Sequence, residues 1–202
     1  MTACVVMPIR SFEGGKSRLG RELDAGRRAE LLRSMAENVV KAAGAMPVAV
    51  VSNAGEVRRW AAGLGLAVID DPGTLNMAAA AGVGWAEVAG FGRIVVAHAD
   101  LPLATSLAPV AADGRRPVVT AVPCHRDDGT PVLSLPTSAT NFVFAYGPGS
   151  FRRHAAAARA AGLAFRVRRD GRLGRDVDAP EDLVGLPVSL VEAARRRALL
   201  GA

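Results

Sequence analysis

Residues 3–7, ACVVM, and the loop that follows at 8–19, PIRSFEGGKSRL, contain the pattern that decides the fold class. The first run is short, apolar and rich in valine, which predicts a buried strand. Apolar residues then recur at helical spacing over 25–43, and Asp24 stands where an N-cap is expected. A strand, a loop and a helix in this order are the unit of an α/β fold, and the unit recurs along the chain.

The alternation of short β-branched runs with longer helical stretches predicts a mostly parallel mixed sheet with helices on both faces. Without repeats or linkers, the chain is expected to form one domain over 1–202, with its core at about 3–186. The predicted strands are residues 3–7, 48–52, 67–69, 93–97, 117–122, 131–135 and 164–168. The predicted helices are residues 25–43, 54–64, 75–89, 150–161, 180–183 and a C-terminal helix at 188–200, amphipathic over 190–200.

Composition indicates a reduced, cytoplasmic enzyme rather than a membrane or secreted protein. The longest apolar runs are far shorter than the roughly 20 residues that cross a bilayer, so no membrane contact is expected. The N-terminus is typical of a strand and lacks the basic and apolar regions of a signal peptide. Cys4 and Cys124 form no recognisable disulfide framework.

The formal net charge of +6 favours anionic partners and is carried almost wholly by arginine, since Lys16 and Lys41 are the only lysines. Nucleotides, phosphorylated acids and nucleic acids all fit such a charge. Most of these arginines are better explained as solvated residues on helix faces. Aromatic residues, at 4% of the chain, do not alternate with the basic ones as they do where bases stack. A nucleic-acid partner would rest on charge alone and is not expected.

The polar residues that follow the predicted strands indicate where a ligand binds. Ligands of open parallel sheets lie beyond the carboxyl ends of the strands. The glycine-rich basic loop follows the strand at 3–7, Asp100 follows the strand at 93–97, and Asp176 and Asp178 come near the end of the chain. We therefore expect one basic loop and two acidic segments to converge on a single edge of the sheet.

The basic loop resembles a phosphate-binding P-loop but does not match its pattern. Arg10 stands five residues before Gly15, where that motif requires a glycine. A looser interpretation keeps Gly14 and Gly15 for close backbone approach, with the cations of Arg10, Lys16 and Arg18 facing a triphosphate. The alternative is an ordinary basic surface loop. Its position directly after the first strand favours the phosphate-binding interpretation.

The acidic residues suit a hard divalent cation such as Mg²⁺, which takes one or two carboxylates together with phosphates and water. Asp100 is one candidate ligand. Asp176 and Asp178 are two residues apart on an extended segment, so their carboxylates can face the same site. The alternative is that Asp178 caps a helix at 180–183 while Asp176 forms an ion pair.

Other polar residues stand at the starts of predicted helices and strands. Asn76 begins a helix, where its amide could read a base or ribose or could simply cap the helix. The segment from Gly147 to Ser150 begins a helix with free amides, a hydroxyl and nearby cations, which suits a small anion, although Ser150 could be a plain N-cap. Thr130 lies between a loop and a strand. Zinc spacing is absent, and three histidines are interpreted as structural, His98, His125 and His154.

No Ser-His-Asp or Cys-His arrangement can be assembled from the sequence, which fits a direct transfer reaction. An acceptor that is already a phosphate is ionised near neutral pH and needs no strong general base. Catalysis then depends on holding two anions in line and neutralising the charge on the transferred and leaving phosphates.

Taken in order, these segments resemble the 2-phospho-L-lactate/phosphoenolpyruvate guanylyltransferase family of deazaflavin coenzyme biosynthesis, within the nucleotidyltransferase superfamily. The resemblance runs from about residue 5 to 183. The family's motifs match at 8–19, which ends in GGKSRL, at 99–102, ADLP, and at 176–183, DVDAPEDL. The GPGSF segment at 147–151, followed by His154, adds to the match.

The resemblance implies a Rossmann-like, glycosyltransferase-A-like fold, GTP as donor, Mg²⁺ as cofactor and pyrophosphate as product. Phosphoenolpyruvate or 2-phospho-L-lactate would be the acceptor, and the arginine- and alanine-rich composition favours phosphoenolpyruvate. The reactive anhydride product implies handover to a downstream deazaflavin transferase. From their places in the basic loop and at the start of a helix, we expect the nucleotide-binding residues to be Pro8, Arg10, Gly14, Gly15 and Asn76. The resemblance implies that the acceptor-binding residues are Lys16, Thr130, Gly147 and Ser150. The metal ligands would be Asp100 and Asp178, with Asp176 as the alternative. The catalytic residues are expected to be Lys16, Arg18 and Asp100.

The chain departs from the family pattern at two places. Proline at 131 replaces a residue that would donate an amide hydrogen, and Arg10 replaces a common lysine. Two rival functions stay open: a nucleotidyltransferase of the same fold with another small phosphorylated acceptor, and a non-catalytic nucleotide-binding domain. The sequence does not reveal the oligomeric state, and the helix at 188–200 could pack on its own domain or on a second copy.

Overall fold

Seven strands form one mixed sheet in the part of the chain that the computed structural model describes, residues 2–112 and 117–186. The strands are β1 Ala3–Pro8, β2 Val48–Val51, β3 Ala67–Ile69, β4 Arg93–Ala97, β5 Val118–Val122, β6 Val132–Pro136 and β7 Ala164–Val167. The α-helices are α1 Ala25–Ala43, α2 Gly55–Gly63, α3 Leu75–Val88, α4 Ala108–Ala111 and α5 Ser150–Ala160, and 3-10 helices span Ser17–Arg21 and Pro180–Leu183.

The strand order across the sheet is β3-β2-β1-β4-β6-β5-β7. β1 pairs in parallel with β2 and with β4, β2 pairs in parallel with β3, and β5 pairs in parallel with β7. β6 runs antiparallel to both of its neighbours, β4 and β5. The predicted α/β architecture with a mostly parallel mixed sheet is therefore confirmed.

The two faces of the sheet bury separate hydrophobic clusters. Val5 and Met7 of β1 face the cluster that contains the apolar sides of α1 and α2. Cys4 and Val6 face the opposite cluster, which contains α3 and α5. Because helices cover both faces, β1 and β2 are apolar at every position instead of alternating with polar residues. This explains the uninterrupted run ACVVM.

The predicted elements match the observed ones closely, and Asp24 caps α1 as expected by accepting a hydrogen bond from the amide of Arg27 at 2.8 Å. The 3-10 helix Ser17–Arg21 and the short α4 were not predicted. The helix predicted at 188–200 lies outside the described residues, and the domain limits stay a prediction. Among the described elements, no helix combines the length and apolar character that a membrane crossing requires.

Gly82 sets the distance between α3 and β1, because a Cβ atom at this position would lie 2.5 Å from Cγ1 of Val6. Alanine usually stabilises a helix relative to glycine by up to about 1 kcal/mol. At this position we expect Gly82→Ala to lower the free energy of unfolding instead, by about 1–3 kcal/mol, because the methyl group overpacks the core. Gly84 in the same helix has nothing within 4 Å of its would-be Cβ, so Gly84→Ala is the matched control. Urea unfolding should give opposite signs for the two variants, and equal signs would contradict the proposed contact.

Candidate active site

The sheet topology brings distant segments together at one edge. β1 and β4 are parallel and end side by side, so the loop from Arg10 to Lys16 lies near Asp100. β6 runs the other way, and its first residue, Val132, pairs with Ala97, the last residue of β4. The residues just before β6, including Thr130, therefore reach the same edge.

A lysine and two carboxylates form the centre of this edge. The Nζ atom of Lys16 donates hydrogen bonds to Oδ2 of Asp100 and to Oδ1 of Asp178, the second at 2.6 Å. The backbone amide of Val177 donates to the carbonyl of Asp100 at 3.2 Å, which holds the two acidic segments together. The predicted convergence of acidic groups opposite the basic loop is therefore observed, while the roles of these residues stay predictions.

The charges in this cluster depend on one another. Burial alone would lower the pKa of Lys16, but the charges and hydrogen bonds of Asp100 and Asp178 raise it above its usual value. Burial alone would raise the pKa of Asp100, but Lys16, assisted by His98, holds it below its usual value. For Asp176, burial and then repulsion from Asp100 and Asp178 raise the pKa. Lys16 thus neutralises a group of carboxylates that would otherwise repel one another.

Asp178 does not cap the helix at Pro180–Leu183, contrary to the alternative considered from sequence. The side chain of Asp182 caps this helix instead, since its Oδ2 accepts hydrogen bonds from the amides of Asp178 at 2.8 Å and Ala179 at 2.9 Å. The carboxylate of Asp178 is left to bind Lys16. Asp176 has His125 as a neighbour, with 3.3 Å between Oδ1 and Nδ1, although its Oδ1 makes no hydrogen bond. Asp178 stays the predicted second ligand and Asp176 its alternative, since the first carboxylate is bound by Lys16 and the second has an unpartnered oxygen.

A cavity of about 510 Å³ lies between the basic loop and α3. Its volume is in the range of small-ligand sites. Pro8, Arg10, Gly15 and Lys16 line it, together with Asp71, Gly73 to Leu75, and His98 to Asp100. Four of the predicted nucleotide- or phosphate-binding residues therefore share one cavity. Gly14 does not line it.

Asn76 does not cap α3, so that interpretation is corrected; it also does not line this cavity, and its role towards the nucleotide stays a prediction. The N-cap is Thr74, whose hydroxyl accepts from the amide of Met77 at 3.2 Å. The side-chain oxygen of Asn76 accepts a hydrogen bond from the amide of Tyr146 at 2.6 Å. Asn76 therefore ties α3 to the loop that precedes α5.

A second cavity, of about 450 Å³, lies on the other side of Asp100. Three predicted acceptor-binding residues line it, Thr130, Gly147 and Ser150. Arg18, predicted to face the triphosphate, lines this cavity and not the first one. Leu75, His98 and Asp100 line both cavities. The two cavities thus meet at Asp100.

The start of α5 does not present the free amides expected from sequence. The amide of Gly149 donates to Oδ1 of Asp128 at 2.9 Å, that of Ser150 to the carbonyl of Gly147 at 3.0 Å, and that of Phe151 to the carbonyl of Asp128 at 3.0 Å. Ser150 is not the N-cap either; Gly149 is, at a φ of 69° that suits glycine. These three amides are therefore not available to a ligand.

A model of the family described as "Guanylyl transferase CofC like" matches residues 3–191 of the chain. The chain belongs to this family. The predicted family and the predicted class of enzyme, a nucleotidyltransferase, are therefore confirmed.

Three curated relatives of this guanylyltransferase have names that differ in the acceptor. Phosphoenolpyruvate guanylyltransferase of Rubrobacter xylanophilus is 38% identical over 94% of the chain and 95% of its own length. 3-Phospho-D-glycerate guanylyltransferase of Phenylobacterium zucineum is 32% identical over 89% of the chain and 87% of its own length. 2-Phospho-L-lactate guanylyltransferase of Methanothermobacter thermautotrophicus is 30% identical over 91% of the chain and 83% of its own length.

A crystal structure from Desulfovibrio desulfuricans G20, assigned to the nucleotide-diphospho-sugar transferases, shares the fold of the guanylyltransferase. The TM-score is 0.77 at 16% identity, and the match covers 99% of this chain and 97% of the other. At this identity the likeness shows the fold alone. It agrees with the predicted Rossmann-like, glycosyltransferase-A-like architecture.

The oxygen atoms at the meeting point of the two cavities fit a shared metal site. Within the described residues, no group of three or more His, Cys, Asp and Glu side chains could hold an ion on its own. However, Oδ1 of Asp100 and Oδ1 of Asp176 are buried without a hydrogen-bond partner. A donor set of carboxylate oxygens suits Mg²⁺, which completes its shell with substrate phosphates and water.

Two residues of the site were not recognised from sequence. His98, interpreted as structural, lines both cavities and has a buried Nε2 without a hydrogen-bond partner. Its position directly after β4 could have indicated this. Arg126 lines the second cavity and donates to Oδ1 of Asp182 at 2.8 Å. It lies in an irregular loop, where no sequence pattern distinguishes it from the other arginines.

Glu56 of α2 anchors the basic loop. Its Oε1 accepts hydrogen bonds from the hydroxyl of Ser11 at 2.8 Å and the amide of Phe12 at 3.2 Å. The same hydroxyl accepts from the amides of Glu13 and Gly14. Lys16 ends this loop in the left-handed conformation, with a φ of 52°, which is unfavourable for a lysine and requires such support.

We expect Glu56→Ala to raise the KM of the guanylyltransferase for its nucleotide by about tenfold, since charge-assisted hydrogen bonds contribute about 1.5 kcal/mol or more. The loop that carries Arg10 and Lys16 loses its anchor in this variant. Steady-state kinetics with varied nucleotide measure the effect. Glu87→Ala, an exposed change in α3, is the control. An unchanged KM for the nucleotide would show that the loop holds its shape without Glu56.

Proposed function

We propose that the chain transfers the GMP unit of GTP to the phosphate of phosphoenolpyruvate and releases pyrophosphate. The observation that carries this proposal is the meeting of two cavities at Asp100, one lined by the basic loop and the other by Thr130 and Ser150. A donor and an acceptor in these cavities would approach each other at that point. The relative with 38% identity bears the name of this activity.

The first cavity fits the donor nucleotide. Arg10 and Lys16 supply positive charge for the triphosphate, and Gly15 lets the basic loop pack closely on α1, since a Cβ there would lie 2.5 Å from Cδ1 of Leu32. Leu75 and Ala78 supply an apolar wall suited to a base. Binding the triphosphate along the basic loop would direct the α-phosphate towards Asp100.

Asp100 and Asp178 are the proposed ligands of Mg²⁺, which when bound would neutralise charge on the α-phosphate and on the leaving pyrophosphate. Asp100 belongs to both cavities and so lies where donor and acceptor meet. Lys16, which binds both carboxylates, is placed to exchange one of them for a phosphate oxygen of the substrate. Its positive charge would then stabilise the transition state.

The second cavity fits a small phosphorylated acid. The hydroxyl of Thr130, with that of Ser150 beside it, is a hydrogen-bonding group for a carboxylate, and the guanidinium groups of Arg18 and Arg126 attract an anion. The acceptor phosphate is ionised near neutral pH, so its oxygen can attack without a strong general base. The chain's task is to hold the two anions in line.

Three further expectations belong to this proposal. The product contains a reactive anhydride between two phosphates, which a downstream deazaflavin transferase would consume. A cytoplasmic location fits the charge and the two free cysteines, Cys4 and Cys124. A homo-oligomer stays one option for the molecule in solution.

A pyrophosphate-release assay tests the proposed function. The four ribonucleoside triphosphates are each combined with phosphoenolpyruvate, 2-phospho-L-lactate and 3-phospho-D-glycerate, with and without Mg²⁺. We expect release only with GTP, Mg²⁺ and an acceptor together, and fastest with phosphoenolpyruvate. Preference for another of the three acids would reassign the acceptor, and no turnover with any of them would overturn the enzyme proposal.

A further inference from the structure

Two hydroxyls of the second cavity and a histidine behind them form hydrogen bonds whose directions can be assigned. His154 of α5 is fully buried, and the residues Thr130 and Ser150 beside it are 1% and 2% exposed. Nδ1 of His154 lies 3.1 Å from Oγ1 of Thr130, and Oγ of Ser150 lies 3.4 Å from the same oxygen. Both hydroxyl residues line the cavity, whereas His154 lies behind them.

The other nitrogen of the ring determines the tautomer. Nε2 of His154 is 3.0 Å from the backbone amide nitrogen of Ala145, and a backbone amide can only donate. Nε2 must therefore be the acceptor and carry no hydrogen, which leaves the single hydrogen of the neutral ring on Nδ1. Burial, followed by the charges of Arg153 and His98, lowers the pKa of His154 to about 4. The ring is thus neutral at physiological pH.

The tautomer in turn fixes the hydroxyl of Thr130. With its hydrogen on Nδ1, His154 donates to Oγ1 of Thr130, and Ser150 donates to the same oxygen over a longer distance. The two lone pairs of Thr130 are then directed at protein donors. The hydrogen of the Thr130 hydroxyl is left to point elsewhere, and the cavity is the side on which Thr130 is open to a ligand.

We propose that His154 is a positioning residue that makes Thr130 a hydrogen-bond donor to the anionic group of the acceptor. The inference rests on the proposed function, since it concerns the acceptor cavity of that reaction. An ionised carboxylate or phosphate can only accept hydrogen bonds, so a threonine held in the donor orientation attracts it. The same hydroxyl with its lone pairs towards the cavity would repel the anion.

Simple packing does not account for both polar contacts of His154. Its ring does pack in an aromatic group, with centroids 4.7 Å from Tyr146 and 6.0 Å from Phe142. An apolar side chain would fill that space equally well. A histidine here satisfies the amide of Ala145 and also presents a directed hydrogen to Thr130, which an apolar residue cannot do.

Two variants separate these contacts. In His154→Asn the amide group replaces Nδ1, so a donor to Thr130 is retained and the acceptor for Ala145 is lost. In His154→Gln the longer side chain replaces Nε2, so Ala145 is satisfied and the donor to Thr130 is lost. We expect His154→Gln to raise the KM for the acceptor about tenfold, as for the loss of one hydrogen bond to an anion, with the KM for GTP unchanged.

His154→Asn should keep the KM for the acceptor much closer to that of the wild type. Arg159→Gln, an exposed change in the same helix, is the control for effects on α5. An acceptor KM that rises equally in His154→Gln and His154→Asn would indicate a purely structural role and overturn the inference.

A double-mutant cycle with Thr130→Val tests whether His154 acts through Thr130. If it does, His154→Gln adds no further loss of acceptor affinity once the Thr130 hydroxyl is absent. Fully additive losses would overturn the inference, because they would mean that His154 acts independently of that hydroxyl.

Nitrogen NMR of the histidine ring tests the tautomer on the protein without substrates. We expect a protonated Nδ1 and an unprotonated Nε2 from pH 5.5 to pH 8, and the opposite tautomer or a charged ring would overturn the inference. This readout is independent of turnover. Absence of activity in the wild type would count against the proposed function, whereas normal activity with the wrong tautomer would count against His154 alone.

Discussion

Asp100→Asn is expected to lower kcat by at least about a hundredfold, the effect of losing one group that stabilises charge in the transition state. Asp100 is the carboxylate that both cavities share, and its Oδ1 is buried without a hydrogen-bond partner. Asparagine has nearly the same shape but no charge, so the fold should persist while the proposed metal ligand is lost. Turnover at saturating GTP, acceptor and Mg²⁺ measures the effect, and circular dichroism monitors the fold.

Asp70→Asn is a suitable control for Asp100→Asn. The Asp70 side chain is 88% exposed and pairs only at the surface with Arg58. Its replacement should change neither kcat nor the melting temperature appreciably, because exposed ion pairs contribute about 1 kcal/mol or less. Full activity of Asp100→Asn would remove Asp100 from the catalytic site.

Lys16→Met is expected to have the second largest effect. It should lower the stability of the protein as well as kcat. The Nζ atom of Lys16 bridges Asp100 and Asp178, so its removal leaves two neighbouring carboxylates without a counter-charge. An unpaired buried charge costs about 1–3 kcal/mol or more, and we expect a lower melting temperature of at least a few degrees. In this variant Mg²⁺ should raise the melting temperature more than in the wild type, because lysine no longer competes for the carboxylates.

Lys41→Met provides the matched control, since Lys41 is the other lysine of the chain and is exposed at the end of α1. The melting temperatures of the wild type, Lys16→Met and Lys41→Met are compared by thermal unfolding with and without Mg²⁺. An identical response to Mg²⁺ in Lys16→Met and the wild type would show that the ion does not bind at the carboxylates that Lys16 bridges.

The fold and the centre of the site could be predicted because both depend on local patterns. Apolar runs bounded by glycine and proline identify strands, and the ends of parallel strands meet at one edge. The loop with Lys16 follows β1 and Asp100 follows β4, so their convergence follows from topology, whereas the segment with Asp178 is held there by the amide of Val177, which donates to the carbonyl of Asp100. Asp100 and Asp178 lie 84 and 162 positions after Lys16 in the sequence, and both contact its Nζ atom.

The remaining site could not be predicted because it depends on pairings with no local pattern. Asn76 binds the amide of Tyr146 across 70 positions, and Glu56 binds Ser11 across 45. Asp128 satisfies amides at the start of α5 that looked available from sequence. In each case a polar residue has several plausible partners, and only the packed chain selects one of them.

Because β6 runs antiparallel to β4, the segment that leads into it reaches the same edge of the sheet, and different parts of the chain dominate the lining of the two cavities. Residues up to Asp100 line the first cavity, which we propose for the nucleotide, whereas most of the lining of the second cavity, proposed for the small acid, comes from the segment that leads into β6 and the turn before α5. Mutation in the later segment can therefore retarget the enzyme to another acid without disturbing how it holds the nucleotide. Natural variation among acceptor preferences should accumulate there.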